Sequence, residues 1–453
     1  MNTSYSTSAI ILAAGKGTRM RSDLPKVMHK VANRPMLGHV IDAAKQAGCE
    51  PLLTVVAPGM RDVESYATRR HKHMRIAAQG KQLGTAHAVL AAQEQLADVK
   101  GHLLVLYGDT PLITPDTLKT MMKLFDTHTD TGVVVLGMRP HDPAEYGRLV
   151  TQDDGTLERI VEFKDANDSE KAIGLCNSGV IAIRGNHAWE MLRQIDNKNA
   201  KEEYYLTDVV AIANGRGLTC RVVECDETEV LGVNSRQQLA DAEAALQQRL
   251  RKRALDKGVT LVAPETVYLS ADTQMGRDVV IHPHVCIGPE VTIGDHVEVK
   301  AFTHIEGTVI GDEVMLGPYA RIRPGSNIGT RSKIGNFVEI KKAEISQEAK
   351  ISHLSYIGDA YVGEGANIGA GTITCNYDGF NKHHTEIGRY SFIGSNTALV
   401  APVVVGAGAM IGAGSVVTED VASDALALTR SPQTSKQSWA KVFRERHEQE
   451  ADE

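Results

Sequence analysis

Bulky aliphatic residues recur at every sixth position over much of the second half of the chain, within residues 281–417. A period of six fits neither the 3.6-residue turn of an amphipathic helix nor the two-residue alternation of an ordinary strand. It is typical of a hexapeptide β-solenoid, in which three hexapeptides form one coil and the sixth residues point inward. At about 4.8 Å per stacked strand, the pattern predicts roughly seven coils. The residues of the repeat are Ile281, Ile287, Ile293, Val299, Ile305, Ile310, Leu316, Ile322, Ile328, Ile334 and Ile340, then Ile387, Ile393, Leu399, Val405, Ile411 and Val417.

The first half shows a different pattern, in which short apolar strands alternate with helical segments. The predicted strands are 8–14, 52–56, 103–107 and 133–136. Such alternation predicts an α/β domain with a doubly wound, Rossmann-like and mostly parallel sheet. A charged stretch rich in Ala and Leu predicts one helix that joins the two halves. We therefore expect a first domain over 1–234, a linker helix over 235–257, and a β-helix domain with a C-terminal tail over 258–453.

Composition and charge narrow the possible partners and location of the chain. Its 453 residues carry a formal net charge of −7, which argues against nucleic acid or an anionic membrane surface as the main partner. The six cysteines form no C-x-x-C pair, so we expect a reducing cytoplasm and no disulfide framework. No basic region precedes the short apolar run at 9–14, which argues against a signal peptide.

One segment is long enough to span a bilayer as a helix, because residues 390–418 include no charged side chain. Pro402, several glycines and the unbroken six-residue period argue against that helix. We expect this segment to belong to the β-solenoid.

A glycine-rich segment follows the first predicted strand. Its sequence is GKGTRM at 15–20, and a strand that leads into such a turn brings backbone N–H groups close to phosphate oxygens. The segment is not a Walker motif, and taken alone it is equally compatible with an ordinary turn. Shortly afterwards, Pro25 and Lys26 add a rigid turn and a cation. Lys16, Arg19 and Lys26 together supply the positive charge that a triphosphate needs.

Other polar residues of the first half have both a functional and an ordinary interpretation. Asp109 follows a predicted strand, where its carboxylate could hold Mg²⁺ against phosphates or cap a helix. The loop QGKQLGTA at 79–86 could read the edge of a base with its amides, or it could be a polar helix cap. Glu162 and Asn177 could bind sugar hydroxyls, although such residues are more often strand ends and turns. Asn234 lies where a helix cap is also expected.

The sequence LAAGKGTRM at 12–20, followed by Pro25 and Lys26, resembles the motif of the sugar-nucleotidyltransferase family. The resemblance implies nucleotidyl transfer from UTP, with Lys26 as a catalytic residue and with Asp109 and Asn234 as protein ligands of Mg²⁺. It assigns one group of residues to uracil, Gln79, Gly84 and Thr85, and another to N-acetylglucosamine, Gly147, Glu162 and Asn177. The full implied site for UTP and UDP-N-acetylglucosamine is Leu12, Ala13, Ala14, Gly15, Arg19, Lys26, Gln79, Gly84, Thr85, Tyr107, Gly108, Asp109, Gly147, Glu162, Asn177 and Asn234.

The six-residue period fails most clearly at 375–386, where a polar loop with the sequence CNYDGFNKHHTE interrupts the repeat. Insertions in repeat proteins are mostly loops, and such loops are often functional. Upstream, His353 lies in a repeat built otherwise of aliphatic residues and glycine. Histidine suits general-base catalysis near neutral pH, but a lone surface histidine is the commoner case. The pairs His282/His284 and His383/His384 are better explained by exposed faces than by metal, because no third ligand has a suitable spacing.

The hexapeptide repeat is shared with the left-handed β-helix acyltransferases. Its segments RIRPG at 321–325, GNFVE at 335–339, HLSY at 353–356 and NIGAGTITCNYDG at 367–379 resemble a family of bacterial bifunctional enzymes. That family acetylates glucosamine-1-phosphate with acetyl-CoA and then transfers uridylyl from UTP to N-acetylglucosamine-1-phosphate, in the synthesis of UDP-N-acetylglucosamine. The left hand of the helix is implied only by this resemblance, because parallel crossovers are ordinarily right-handed.

This second resemblance assigns residues of the β-helix to acetyl transfer. It makes His353 the base that removes a proton from the sugar amine, and it implies a homotrimer whose acetyl-transfer sites are shared between neighbouring β-helices. The implied glucosamine-1-phosphate site is Arg323, Lys341, Tyr356, Asn367 and Lys382, and the implied acetyl-CoA site is Ala370, Asn376, Tyr377, Ser395, Ala413 and Arg430. A backbone N–H near Ser395 is a candidate oxyanion donor.

Two other functions are compatible with the same two modules. One is a monofunctional nucleotidyltransferase in which the solenoid serves only for oligomerisation, and the other is a non-catalytic regulatory subunit. A passive solenoid has no use for His353 or for the Asn376-Tyr377 loop, and a regulatory subunit would be expected to lose Asp109 or the cations of the phosphate loop. The bifunctional interpretation is therefore favoured.

Overall fold

The computed structural model of the protein describes residues 7–15, 17–97, 101–143, 145–199 and 201–451. The chain divides into two compact units, Met1–Leu250 and Arg251–Glu453. The boundary falls inside a long helix, Arg236–Asp256, which lies where the sequence predicts a single helix. The finer division into 1–234, 235–257 and 258–453 stays a prediction. Lys16, the expected third cation of the phosphate loop, lies outside the described residues.

The first unit is built on a 9-stranded sheet. Its described strands are β1 Thr7–Leu12, β2 Lys30–Val31, β3 Arg34–Pro35, β4 Leu52–Val56, β5 Arg75–Ala78, β6 His102–Tyr107, β7 Thr131–Met138, β8 Arg148–Thr151, β9 Leu157–Val161, β10 Cys176–Ile183 and β11 Thr219–Cys225, of which β2 and β3 form a separate pair. The main order is β11-β7-β10-β6-β1-β4-β5, with β8 and β9 attached to β10. Only β10 runs antiparallel within the main order, so the sheet is mostly parallel as predicted.

Helices cover both faces of this sheet. The α-helices are α1 Met36–Gln46, α2 Arg61–Arg70, α3 Thr85–Leu90, α4 Pro115–Thr127, α5 Asp168–Lys171, α6 Gly185–Leu192, α7 Val209–Gly215 and α8 Arg236–Asp256, and the 3-10 helices are Thr18–Met20, Lys26–Met28, Glu94–Leu96, Leu206–Asp208 and Glu227–Val230. Neighbouring residues of β1 point to opposite sides: Ile11 packs in one core with α1, α2 and α4, and Ile10 packs in the other with α3, α6 and α7. This alternation is the doubly wound arrangement that the sequence predicts.

The second unit is a parallel β-helix. Its strands are β12 Thr260–Leu261, β13 Tyr268–Leu269, β14 Gln274–Met275, β15 Val280–Ile281, β16 Cys286–Ile287, β17 Val291–Ile293, β18 Glu298–Val299, β19 His304–Ile305, β20 Thr308–Ile310, β21 Met315–Leu316, β22 Arg321–Ile322, β23 Ser326–Ile328, β24 Lys333–Ile334, β25 Glu339–Ile345, β26 Lys350–Ile351, β27 Tyr356–Val362, β28 Asn367–Ile368, β29 Ile373–Cys375, β30 Thr385–Ile387, β31 Phe392–Ile393, β32 Ala398–Val400, β33 Val403–Val405, β34 Met410–Ile411, β35 Val416–Val417 and β36 Leu426–Ala427. Most of their inward residues are buried, as the period of six predicts.

The β-helix is longer than the sequence pattern predicts. One face, within the described residues, is a 10-stranded sheet from β12 to β36, so the prediction of roughly seven coils was wrong. The end coils depart from the pattern, because β12 and β15 pair Leu261 with Ile281, a step of 20 residues, and the last coil has the half-buried Ala427 where earlier coils have isoleucine, leucine or valine. A coil with a small inward residue or an irregular step does not show the period of six, so the sequence pattern does not predict it.

The uncharged segment 390–418 forms strands of the β-helix, from β31 to β35. No helix among the described residues is long and apolar enough to cross a membrane. After the last coil the chain forms a helix, α9 Trp439–Ala451, whose described side chains are exposed.

Candidate active sites

The glycine loop of the first unit packs directly against a lysine. Gly17 has a left-handed φ of 62°, and a Cβ atom added there would lie 2.5 Å from the Cβ of Lys26. Only glycine allows this approach without a shift of the backbone. Lys26 begins a short 3-10 helix, and its ammonium donates hydrogen bonds to the Oδ2 atom of Asp109 and, at 2.9 Å, to the Oδ1 atom of Asn234. Three residues that are distant in sequence therefore meet at one nitrogen atom.

Lys26, Asp109 and Asn234 are brought together by the ends of β1 and β6 and by the segment before α8. Gly108 follows β6 and donates its N–H to Leu12 O at the end of β1, at 2.9 Å. The N–H of Val233 donates to Asp109 O at 2.9 Å, which ties the segment before α8 to the end of β6. The site thus lies at the carboxyl ends of β1 and β6, where doubly wound sheets bind ligands.

Asn234 is held by the cap of α8. The N–H of Gln238 donates to Ser235 Oγ at 3.2 Å, and the Oε1 atom of Gln238 accepts from the N–H of Asn234 at 2.8 Å. The capping role considered for this segment and a role in ligand binding are therefore compatible, because the cap fixes the backbone and leaves the amide of Asn234 directed at Lys26.

A cavity of about 260 Å³ lies beside this cluster. Ten of the residues predicted to bind the nucleotide line it, namely Leu12, Ala13, Ala14, Gly15, Lys26, Gln79, Gly84, Thr85, Tyr107 and Asp109. The cavity does not include Arg19, Gly108, Gly147, Glu162, Asn177 or Asn234 among its described lining residues. Arg19 is exposed on the 3-10 helix Thr18–Met20, whereas Gly108 and Asn234 are held against the cavity by the contacts described above.

Gln79 has an amide orientation that the surrounding atoms determine. Its Nε2 atom donates to Gly84 O and contacts His87 Nδ1, both at 3.2 Å, and the residue is 5% exposed. Because a carbonyl oxygen can only accept, the NH₂ group must face Gly84 and the amide oxygen faces the other way. Gly84 itself approaches Tyr204 so closely that a Cβ would lie 2.5 Å from Tyr204 O.

The three residues predicted to bind the sugar lie together at one end of β8, β9 and β10. Arg148, the first residue of β8, pairs with Val161, the last residue of β9, and with Cys176, the first residue of β10. Because both pairings are antiparallel, the residue before Arg148 neighbours the residue after Val161 and the residue after Cys176. These neighbours are Gly147, Glu162 and Asn177. The N–H of Asn177 donates to Gly147 O at 2.8 Å, and its Oδ1 accepts from the N–H of Gly179 at 2.9 Å. The NH₂ group of Asn177 is thereby left for a hydroxyl or carbonyl oxygen.

Two half-buried acidic groups, Glu162 and Asp208, lie in this sugar-side region. Burial raises the pKa of Glu162, which accepts a hydrogen bond from Thr207 Oγ1 at 3.4 Å. Burial, followed by the charges of Asp196, Glu162 and Asp165, raises the pKa of Asp208 to about 6. Burial, followed by the charges of Asp109 and Glu162, also raises the pKa of the Tyr107 hydroxyl. Desolvated carboxyl groups near a cavity are a feature of ligand sites.

In the second unit, the repeat aligns His353 with the predicted acetyl-CoA residues. His353, Ala370, Ser395 and Ala413 each lie two residues after an inward isoleucine of the 10-stranded face, in successive coils. The backbone connects the coils: Gly371 N donates to His353 O at 3.0 Å, Asn396 N to Ala370 O at 2.7 Å, and Gly414 N to Ser395 O at 2.8 Å. The residues therefore form one column along a corner, which we call the His353 column. Arg430 donates to Ala413 O at its end.

The predicted sugar-phosphate residues lie on both sides of the His353 column. Arg323 and Lys341 follow inward isoleucines of successive coils at the next corner, and Tyr356 begins β27 between the two corners. Asn367 belongs to β28 of the 10-stranded sheet, whereas Tyr356 belongs to β27 of the 15-stranded sheet. Within one chain, the two residues therefore lie on different faces of the β-helix. Among the described residues, the ring of His353 has no hydrogen bond or ion pair, and the residue is exposed.

The insertion loop has a defined structure of its own. Tyr377 and Lys382 form an antiparallel bridge, and the Lys382 ammonium lies 3.9 Å from the centre of the Tyr377 ring. Asp378 accepts from the N–H groups of Phe380 and Asn381, both at 2.7 Å, and contacts His383 Nε2 at 2.6 Å. These hydrogen bonds, with Asn381 first, lower the pKa of Asp378. The pairing gives His383 a carboxylate partner within the loop. Among the described residues, no group of three or more His, Cys, Asp or Glu side chains is arranged to hold a metal ion.

Sequence reasoning missed several residues of both sites. Gln82 and Glu203 line the nucleotide cavity, and Gln82 donates to Ala14 O. Glu339 orients Arg323 through a 2.8 Å ion pair. Glu339 lies in the segment GNFVE that the family resemblance matched, and Gln82 lies in the loop at 79–86 whose amides were considered for base recognition, so a signal was available for both.

Comparison with known proteins agrees with this two-part structure. Residues 9–172 match the profile of the MobA-like NTP transferase domain, and residues 272–307, 307–342 and 384–419 match that of the bacterial transferase hexapeptide (six repeats). The fold and sites thus define an NTP transferase joined to a hexapeptide-repeat transferase, in accord with the predicted left-handed β-helix.

Full-length relatives identify the family. The chain is 56% identical over 438 residues to the bifunctional protein GlmU of Rhodospirillum rubrum, with 97% of each chain covered. It is 53% identical to that of Paramagnetospirillum magneticum, with 96% of each covered, and 49% identical to that of Zymomonas mobilis, with 97% of this chain and 98% of the relative covered. The chain belongs to the GlmU family of bifunctional proteins. The predicted family and fold class are confirmed.

Proposed function

We propose that the chain is a bifunctional enzyme of UDP-N-acetylglucosamine synthesis. It transfers acetyl from acetyl-CoA to glucosamine-1-phosphate on the β-helix, and uridylyl from UTP to N-acetylglucosamine-1-phosphate in the first unit. The observation that carries this proposal is the occurrence of two separate constellations in one chain, the Lys26–Asp109–Asn234 cluster beside a cavity and the His353 column. The similarity of the chain, over nearly its full length, to proteins named as bifunctional also supports it.

In the uridylyl site, a phosphate oxygen of the sugar phosphate attacks the α-phosphorus of UTP, and pyrophosphate leaves. Such a reaction depends mainly on positioning and on neutralisation of charge. Lys26 and the N–H groups of the glycine loop bind phosphate oxygens, the Gln79 oxygen accepts from the N3–H of uracil, and the NH₂ of Asn177 donates to the sugar. Glu162 accepts hydrogen bonds from sugar hydroxyls.

The oxygen atoms of Asp109 and Asn234 fit a Mg²⁺ site. Both contact one cationic atom, Lys26 Nζ, so they converge within reach of a single cation. A carboxylate and an amide oxygen suit Mg²⁺, which usually keeps waters and substrate phosphates as its other ligands. When bound, the ion would neutralise the charge of the triphosphate, and Lys26 would then be free to contact a phosphate.

In the acetyl-transfer site, the 2-amine of the sugar attacks the thioester carbonyl of acetyl-CoA. His353 removes a proton from the amine as the C–N bond forms, and it returns that proton to the thiolate of CoA as the C–S bond breaks. Arg323, Lys341, Tyr356, Asn367 and Lys382 hold the sugar phosphate, and Ala370, Asn376, Tyr377, Ser395, Ala413 and Arg430 line the acetyl-CoA site. The N–H of Ser395 is the proposed donor to the oxyanion.

The active assembly is proposed to be a homotrimer formed through the β-helix. The exposed His353 ring and the position of Asn367 around the corner from Tyr356 support a site completed by a neighbouring copy. The scattered cysteines support a cytoplasmic location.

Mass analysis of the reaction products tests this proposal. The protein is incubated with glucosamine-1-phosphate, acetyl-CoA, UTP and Mg²⁺, and we expect UDP-N-acetylglucosamine, CoA and pyrophosphate. With a chelator present, N-acetylglucosamine-1-phosphate should accumulate instead, since acetyl transfer has no step that requires the ion. Uridylyl transfer without any acetyl transfer would favour the monofunctional alternative.

A further inference from the structure

Asn376, at the base of the insertion loop, has an amide whose orientation is set by a carboxylate. Its Nδ2 atom donates to Asp359 Oδ2 and, at 3.4 Å, to Tyr356 Oη. The residue is 5% exposed. A carboxylate can only accept, so the NH₂ group must face Asp359 and the Oδ1 atom must face away from it. No described residue donates to that oxygen, which leaves it available to a ligand.

Asp359 is held on a fixed part of the backbone. It lies at a corner within β27 with a left-handed φ of 47°. The preceding residue, Gly358, donates its N–H to Thr374 Oγ1 at 2.8 Å, and Thr374 Oγ1 contacts Gly358 O at 3.1 Å. Thr374 is fully buried. The next coil therefore anchors the backbone beside Asp359, and the carboxylate is presented by a rigid element rather than by the loop.

The carboxylate of Asp359 fixes which groups donate and which accept in the hydrogen bonds that follow. Asp359 accepts from Asn376, and Tyr356 Oη accepts the second amide hydrogen. The proton of the Tyr356 hydroxyl is then free to donate, and a phosphate oxygen, which only accepts, is its natural partner. Gly358 gives the Tyr356 ring its room, because a Cβ at Gly358 would lie 2.3 Å from Tyr356 Oη.

We propose that Asp359 is a positioning residue for acetyl transfer, which directs Asn376 Oδ1 to accept a hydrogen bond from an N–H group of a bound substrate. This inference rests on the proposed acetyltransferase function. Two substrates carry such a group near the site, the 2-amine of glucosamine-1-phosphate and the pantetheine amides of acetyl-CoA. Asp359 acts through Asn376 and Tyr356 and touches no reacting atom.

The test compares D359A with a matched control, D278A. Asp278 also lies at a left-handed corner of the β-helix, with φ of 55°, and its partner is His296 rather than the loop. We expect D359A to lower kcat/KM of acetyl transfer by about 10- to 100-fold, the size expected for loss of a charge-assisted hydrogen bond. D278A should leave it within about 2-fold, as expected for a surface position. Uridylyl transfer should be unchanged in both variants, because it occurs in the other unit.

The separate KM values identify the substrate that the amide contacts. A rise confined to the KM of glucosamine-1-phosphate assigns the contact to the amine, and a rise confined to the KM of acetyl-CoA assigns it to the pantetheine. A double exchange, D359N with N376D, keeps a donor facing an acceptor and still presents an oxygen to the ligand. It should recover at least about 5-fold of the activity lost in N376D alone, in which two carboxylates face each other.

The outcomes separate this inference from the function on which it rests. If the wild-type protein neither acetylates glucosamine-1-phosphate nor binds acetyl-CoA in calorimetry, the proposed function and this inference fall together. If the wild type is active and D359A behaves like D278A, only the positioning role is overturned. If D359A unfolds the β-helix, seen as loss of its thermal transition, the double exchange decides: no recovery of acetyl transfer in D359N with N376D over N376D alone would overturn the positioning role.

Discussion

The nucleotide site and the acetyl-transfer site are built in opposite ways. In the first unit, Lys26, Asp109 and Asn234 come from distant parts of the chain and already contact one another, with Lys26 Nζ 2.9 Å from Asn234 Oδ1. On the β-helix, His353 and its neighbours along the column are placed by the repeat, and the His353 ring has no hydrogen bond to a described residue. The contacts of the first site are formed within one chain, whereas His353 in the second site is exposed.

The acidic groups of the two units also differ, because their pKa values are shifted in opposite directions. Burial raises the pKa of Glu162 in the first unit, whereas backbone N–H groups and His383 lower the pKa of Asp378 in the insertion loop. Desolvation of a carboxyl group disfavours its charged form, and hydrogen bonds to the carboxylate favour it. In the first unit, burial thus favours the neutral form of a carboxyl group, whereas in the second unit an ionised carboxylate fixes a loop.

The largest effect should come from removing the proposed base of the open site. His353→Ala should lower the acetyl-transfer rate by about 100- to 10,000-fold, the range for loss of a general base. Uridylyl transfer from UTP to N-acetylglucosamine-1-phosphate should remain near the wild-type rate. Both rates are measured on the same purified variant, so the second serves as the folding control. Equal loss of both activities in a folded protein would contradict a two-site enzyme.

The reciprocal change removes one member of the organised site. Asp109→Ala should lower uridylyl transfer by about 100- to 1,000-fold, because a metal ion and its ligands contribute several kcal/mol of charge stabilisation. Acetyl transfer should be unaffected. Titration with Mn²⁺, followed by electron paramagnetic resonance in the presence of UTP, should show weaker binding. Wild-type metal binding in this variant would remove Asp109 from the proposed ligand pair.

The sequence pattern predicted the site on the β-helix better than the site in the first unit. The period of six located the β-helix and the position of His353 within it, because a repeat fixes which residues share a corner. It could not show that Asp359 contacts Asn376, since Asn376 belongs to the insertion at 375–386, where the period fails. In the first unit, the glycine loop indicated phosphate, but nothing in the spacing of Asp109 and Asn234 brings them together. That contact depends on the order of the strands, and only the family resemblance supplied it in advance.

Two glycines offer a smaller and more selective test. A Cβ at Gly17 would meet the Cβ of Lys26 at 2.5 Å, near the backbone, whereas a Cβ at Gly358 would meet the movable end of the Tyr356 side chain at 2.3 Å. Gly17→Ala should therefore lower uridylyl transfer by about 30-fold or more, since the loop itself must shift at a φ that alanine rarely adopts. Gly358→Ala should lower acetyl transfer by about 10-fold, mainly through the KM of glucosamine-1-phosphate. Gly155→Ala, a positive-φ position with open space around it, is the control. A larger loss in Gly358→Ala than in Gly17→Ala would contradict the comparison.

The smallest expected effect is on stability, and it tests whether burial disfavours the ionised form of a carboxyl group in the first unit. The pKa of Asp208 is raised from 3.8 to about 6, mainly by burial. A raised pKa contributes stability that is fully present below pH 3.8 and is lost as the pH rises through 6, because the ionised form is then forced into the desolvated position.

Asp208→Asn should consequently stabilise the first unit by about 1 kcal/mol at pH 7.5, after allowance for the part of the group that solvent screens. At pH 4 the variant should show no gain. The midpoint of the corresponding calorimetric transition is measured at both pH values. Asp154→Asn is the matched control, since hydrogen bonds from Thr156 lower the pKa of Asp154 and its replacement should give no gain at pH 7.5. A gain of equal size at both pH values would show that Asp208 is not held ionised against burial, and the contrast with the loop carboxylate of the β-helix would then lose its basis.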